Sequence, residues 1–143
     1  MVVFPTGTTL GVVLAVTPGL IYDRYKMHEN VTCTNADTKA AVLFSKGYLS
    51  EFAHIAWAQR AQLANLFTKQ NVRVHWIHNA GSKDLEKALQ DETVQHLALC
   101  GHGTRTTWYA TDCDVTIETI AQMKYAQKNG YFLQMHCGDP VGI

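Results

Sequence analysis

The feature that most constrains this chain is a repeated alternation of short apolar runs with longer segments of helical periodicity. Four strand-like runs occur, at residues 40–44 (AAVLF), 72–77 (VRVHWI), 96–100 (HLALC) and 131–136 (YFLQMH). Strands that alternate with helices usually pair in parallel, and the helices cover both faces of the sheet. The sequence therefore predicts an α/β fold, a three-layer sandwich around a mostly parallel sheet of about four strands.

Three segments between and after these runs have the spacing of amphipathic helices. They cover residues 51–70, 83–91 and 115–128. The residues expected to cap them are Ser50, Ser82 and Asp114, because short polar side chains accept a hydrogen bond from the first helical turn.

Composition and charge exclude several classes of function. The chain has 143 residues, enough for one domain, and its 12 basic residues balance 12 acidic ones. A neutral chain has no basic field for nucleic acid and little charge to prevent self-association. The four cysteines are widely spaced, which argues against a disulfide framework and for free thiols in a reducing compartment.

The N-terminal segment leaves two structures open. Residues 2–22 carry no charge, about the length of a bilayer-spanning helix, and Arg24 and Lys26 follow at once. The other interpretation is a strand–turn pair with Pro18-Gly19 as the turn. We therefore expect residues 1–37 to form a separate apolar segment and linker, and 38–143 the main domain. That domain is expected to be cytoplasmic, or membrane-anchored and facing the cytosol.

Reactive groups follow two of the predicted strands. The third strand continues into Gly101-His102-Gly103, and the fourth into Cys137-Gly138-Asp139. In parallel sheets, ligands bind beyond the carboxyl ends of the strands. If these strands are neighbours, His102 can accept the thiol proton of Cys137. The backbone N–H groups of Gly103 and Cys137 are then candidate donors to an oxyanion.

Two motifs resemble the caspase and metacaspase pattern. The stretch LALCGHGTRTTWYATDCDVTIETIAQM resembles the family's apolar strand, His-Gly pair and following turn and helix, and GYFLQMHCGD resembles the strand that ends in the nucleophile. The resemblance covers roughly residues 38–139. It implies a cysteine endopeptidase in which His102 is general base and acid and Cys137 is the nucleophile, with no metal or organic cofactor.

The chain departs from that pattern at the substrate-binding positions. Met135 stands where the caspase signature has Gln, and Lys46 is the only candidate for the basic specificity residue after the first strand. The resemblance covers only the large-subunit half of a caspase. Besides a peptide or protein substrate, the expected partners are therefore a second copy of the chain or a separate small subunit. The membrane is a further expected partner, through residues 2–22.

Two other interpretations remain open at this point. The first is a catalytically inactive caspase-like module that binds or regulates a partner. The second is a small zinc-binding domain, because Cys100, His102, His136 and Cys137 are a Cys2His2 set by residue type.

Overall fold

A computed structural model describes the backbone of residues 7–136 and the side chains from residue 18 to residue 136. The helices are α1 (Gly7–Cys33), α2 (Tyr48–Glu51), α3 (Ala53–Lys69), α4 (Ser82–Gln90) and α5 (Ile117–Gln122). The strands are β1 (Asn35–Phe44), β2 (Val72–Ile77), β3 (Val94–Gly101), β4 (Thr107–Tyr109), β5 (Asp114–Thr116) and β6 (Phe132–His136). Cys137 lies outside the described residues.

The centre of the fold is a four-stranded sheet in the order β2-β1-β3-β6. All three of its strand pairs are parallel. The predicted α/β fold with a parallel sheet flanked by helices is therefore confirmed. β1 is longer than expected and begins at Asn35, just before the expected domain boundary at residue 37.

β1 supplies both faces of the core because alternate side chains of a strand point to opposite sides. Val42 packs in one cluster with Phe67 of α3. Its neighbour Leu43 packs in a second cluster with Leu85 of α4. All four side chains are 0% exposed to solvent, so helices on both faces shield the C-terminal half of β1, whose first residues are exposed.

Helix α1 contradicts the expected strand–turn pair. Pro18 lies inside a helix of 27 residues, and Pro18-Gly19 therefore forms no turn between strands. The C-terminal half of α1 packs along α3 and reaches β2, and this tertiary packing outweighs the local turn signal of a Pro-Gly pair. Among residues 7–136, no helix has both the length and the apolar character that a membrane span requires.

Asn30 of α1 attaches this helix to β2, the edge strand of the sheet. Its Nδ2 donates to the Val72 carbonyl at 3.0 Å, and its Oδ1 accepts from the Val74 N–H at 2.8 Å. The side-chain amide thus pairs with the strand as a neighbouring backbone amide would. Edge strands need such protection, because their unpaired N–H and C=O groups attract other strands.

The predicted helix over residues 115–128 is wrong in its start and its length. Asp114 and Val115 belong to β5, which pairs with β4, and the helix that follows ends at Gln122. Thr116, not Asp114, caps this helix by accepting from the Thr119 N–H at 3.1 Å. The reason is burial: Val115 is 1% exposed and packs in the same core cluster as Trp108 of β4.

The other two predicted caps also differ. Ser50 lies inside the short helix α2, and its hydroxyl donates to the Gly47 carbonyl at 2.9 Å. Ser82 is the first residue of α4, and its N–H donates to Asp112 at 2.8 Å. Asp112, which lies in a distant loop, therefore accepts from the first turn of α4, where the side chain of Ser82 was expected to accept.

Candidate functional site

The two strands that precede the predicted catalytic residues are neighbours. β3 and β6 pair in parallel, with Gly101 opposite His136 at the end of the register. His102 follows Gly101 directly. Cys137 follows His136 in sequence but lies outside the described residues, so its catalytic and oxyanion roles stay predictions.

Ser45, at the end of β1, holds the loop that carries His102. The His102 N–H donates to the Ser45 hydroxyl at 2.6 Å, and the Ser45 N–H donates to the Cys100 carbonyl at 3.1 Å. Gly101 has a φ of 108°, and a Cβ there would collide with the Ser45 hydroxyl. Glycine is therefore required at position 101 for β3 to turn into this loop.

Two aromatic side chains, one from α2 and one from the residue between α2 and α3, fix the imidazole of His102. The ring meets Tyr48 and Phe52 edge-on, with centroid distances of 5.4 Å in both cases. The His102 side chain is 28% exposed, so the ring is packed on two sides and still accessible. An accessible ring with restricted rotation suits a residue that transfers protons.

Glu51 is the site residue that sequence reasoning missed. Its Oε2 lies 3.0 Å from Nε2 of His102, although the two residues are 51 positions apart in the sequence. An ionised carboxylate only accepts hydrogen bonds, so Nε2 is the nitrogen that carries the hydrogen. In the neutral ring, Nδ1 then remains as the proton acceptor.

Gly103 lies against both the loop and β6. Gly103 and Trp108 form an isolated antiparallel β-bridge. The two hydrogen bonds of this bridge are donated by the N–H groups of Thr104 and Tyr109. The bridge therefore does not use the Gly103 N–H, the predicted oxyanion donor. A Cβ on Gly103 would collide with the His136 ring and the Thr107 carbonyl, so only glycine allows this approach.

The two predicted substrate-binding residues are in different environments. Met135 is half-buried and packs against the core cluster that contains Cys100. Lys46 is exposed in the loop after β1. Their roles in substrate binding stay predictions.

The described thiols differ in their chemistry. Burial raises the pKa of the Cys100 thiol to about 12, and the side chain is 0% exposed. This thiol is protonated at neutral pH and is a poor nucleophile or metal ligand. Cys33 and Cys113 are free and exposed. Within residues 7–136 no cluster of three or more His, Cys, Asp or Glu residues is arranged to hold a metal ion.

No protein-family model matches this chain, and no curated protein matches it. The fold and the geometry around His102 are therefore the grounds on which a function is assigned.

Proposed function

We propose that this chain is the catalytic domain of a caspase-like cysteine endopeptidase, with Cys137 as nucleophile and His102 as general base and acid. One observation carries the proposal: Gly101 and His136 are partners at the ends of neighbouring parallel strands. The next residues in sequence are His102 and Cys137. Neighbouring strands lie about 4.8 Å apart, which is within reach of an imidazole and a thiol.

The chemistry is acyl transfer. His102 Nδ1 takes the thiol proton, and the thiolate attacks the peptide carbonyl carbon. The N–H groups of Gly103 and Cys137 donate to the oxyanion. The imidazolium then protonates the leaving amine as the C–N bond breaks, and water hydrolyses the thioester to release the acid and restore the thiol.

Glu51 has a supporting role in this scheme. Its carboxylate, 3.0 Å from His102 Nε2, keeps the hydrogen on that nitrogen and the acceptor on the other. It also faces the positive charge that the ring acquires after taking the thiol proton. A third group that orients the base is the general arrangement of such nucleophiles.

The substrate in this proposal is a peptide or protein, with Lys46 and Met135 as the candidate specificity residues. The groove is completed by a second copy of the chain or by a separate small subunit. The proposed location is the cytoplasm, where reducing conditions preserve a reactive thiol. Attachment to a membrane through residues 2–22 remains an expectation.

Labelling with an iodoacetamide probe across pH tests the dyad. Because Cys33 and Cys113 are exposed, the experiment uses a background in which both are replaced by Ser. Cys100 is buried and should stay unlabelled. We expect one thiol that reacts fast below pH 7, disappears in Cys137→Ala and slows in His102→Ala. His54→Ala, which removes an exposed histidine of α3, is the matched control and should have no effect.

Two results would replace the proposal. If the remaining thiols react slowly at every pH and His102→Ala changes nothing, the chain is a caspase-like module without catalysis. If the purified protein instead holds one equivalent of zinc that both His102→Ala and Cys137→Ala release, the domain is a zinc site.

A further inference from the structure

A cavity of about 410 Å³ opens at the carboxyl ends of β1 and β2. Its walls come from the loops after these two strands, from α3 and from the part of α1 around Arg24. Pockets that bind small molecules usually have volumes of about 300–1,000 Å³. The cavity therefore has the size of a small-ligand site. It adjoins the His102 loop through Ser45 but has its own set of polar groups.

Two arginines line this cavity. Arg60 is 5% exposed and Arg24 is exposed, and both line the wall. Asp23 is the one carboxylate within ion-pair distance of either arginine among the described residues, with Oδ1 3.2 Å from Arg60 Nε. The cavity therefore has an excess of positive charge.

The pairing of Arg60 with Asp23 is also incomplete. Arg60 Nε and both Asp23 oxygens are buried and make no hydrogen bond within the described part of the chain. Burial lowers the pKa of Arg60, Asp23 raises it in part, and the charge of Arg24 lowers it further. Arg60 Nη2 donates to Met27 Sδ, so within the described residues Nε is the one buried donor of Arg60 without a hydrogen-bond partner. A buried cation that a second cation repels is stabilised by an added anion.

His78 adds no third positive charge. It lines the same cavity, and burial, with a further effect of Arg60, lowers its pKa below the usual value near 6.5. The imidazole is therefore neutral at pH 7. The rest of the lining combines apolar and aromatic side chains, among them Leu20, Leu49 and Trp57, with the uncharged polar residues Ser45, Ser50 and Asn79.

We propose that this cavity binds a small carboxylate with an apolar body, such as an aryl-alkanoic acid. Arg24 and Arg60 bind the carboxylate, because a planar guanidinium matches its two oxygens. Trp57 and the neighbouring leucines contact the apolar part. The cavity volume favours a free small molecule over a peptide. The site is independent of the proposed peptidase dyad.

Calorimetric titration with phenylacetate tests the proposal, and the uncharged phenylacetamide is the matched ligand. We expect phenylacetate to bind at one site and phenylacetamide to bind at least about 10-fold more weakly or not at all, since hydrogen bonds between two charged groups are stronger than those of a neutral amide. Arg24→Gln should weaken phenylacetate by a similar factor. Arg105→Gln, which removes an exposed arginine outside the cavity lining, should not.

Tryptophan fluorescence locates the ligand. Phenylacetate should change the emission of the wild type and of Arg105→Gln, and Trp57→Phe should remove that change. Three results would each overturn the proposal. They are equal affinity for phenylacetate and phenylacetamide, wild-type affinity for phenylacetate in Arg24→Gln, and no binding of phenylacetate at millimolar concentration. A peptide that binds through its C-terminal phenylalanine carboxylate more tightly than phenylacetate would reassign the cavity to a chain terminus. None of these readouts uses the thiol of Cys137, so this proposal and the peptidase proposal fail separately.

Discussion

The carboxylate of Glu51 lies 3.0 Å from Nε2 of His102 and joins the end of α2 to the loop after β3. Glu51 is largely exposed, with 59% of its side chain accessible, so solvent weakens the pair. The pair nevertheless determines which ring nitrogen carries the hydrogen. In the proposed mechanism, that choice leaves Nδ1 to accept the proton of the thiol.

The first prediction follows from this pair. Glu51→Ala should slow iodoacetamide labelling of Cys137 by about 1.4-fold to fivefold, because exposed ion pairs contribute roughly 0.2–1 kcal/mol. Glu51→Gln should slow the labelling less than Glu51→Ala does, because the amide oxygen of Gln still accepts from Nε2 and only the charge is removed. The labelling rate is measured in the background without Cys33 and Cys113. Glu86→Ala, which removes an exposed acid of α4, is the control. Equal rates in all variants would refute an orienting role for Glu51.

A second prediction concerns Gly101. Gly101→Ala should lower the free energy of unfolding by at least about 2 kcal/mol, because a positive φ costs a non-glycine residue roughly 1–2 kcal/mol and the new Cβ collides with Ser45. Urea unfolding followed by circular dichroism measures the change. The matched control is Gly19→Ala in α1, where a Cβ would lie 3.9 Å from the Trp57 ring. That variant should be unchanged or more stable by about 0.5–1 kcal/mol. A stable Gly101→Ala variant would contradict the described geometry of this loop.

The strands were predictable from sequence because their signal is local. Residues 72–77 alternate between apolar and polar side chains, and β2 has the predicted bounds. The prediction of a helix over residues 115–128 was wrong because their helical spacing is also consistent with a strand at Val115. The strand partner of Val115 is Trp108, which is not adjacent in sequence. Glu51 and His102 meet only when α2 packs beside the end of β3. Contacts of this kind depend on tertiary packing, and no local pattern indicates them.

The third prediction is a pH dependence that arises from His96. His96 is 8% exposed, its Nδ1 accepts from the Tyr131 N–H at 3.0 Å, and burial lowers its pKa. A lowered folded-state pKa means that the unfolded chain binds the proton more tightly. The contribution of neutral His96 to the free energy of unfolding is therefore greatest above about pH 6.5, the pKa of histidine in the unfolded chain. This contribution is lost as the pH falls below that value.

Urea unfolding at pH 8 and pH 5.5 measures this loss. His96→Asn should be less sensitive to pH, because an amide oxygen accepts from the Tyr131 N–H without titrating. Some sensitivity should remain, since burial also lowers the pKa of His78. The control is His54→Asn, at an exposed position of α3, and it should keep the wild-type dependence. If His96→Asn also keeps it, His96 is not the group that titrates.

The last prediction concerns the contact of Asn30 with the edge strand. Asn30→Asp keeps the acceptor for the Val74 N–H but places a carboxylate oxygen where the amide nitrogen donates to Val72 and Thr68. The side chain is 0% exposed, so the lost donor should cost about 1–3 kcal/mol at pH 8. Burial raises the pKa of the introduced carboxyl, and protonation restores a donor. The difference in the free energy of unfolding between Asn30→Asp and the wild type should therefore decrease as the pH falls from 8 to 5.

Asn35→Asp is the matched control for that experiment. The Asn35 side chain is exposed, and its Oδ1 accepts from the Asp37 N–H at 2.9 Å. A carboxylate accepts equally well, so this variant should unfold at nearly the wild-type urea concentration at both pH values. If Asn30→Asp also unfolds there at pH 8, the amide does not donate to β2. The docking of α1 would then depend on its packing along α3, with Asn30 contributing little.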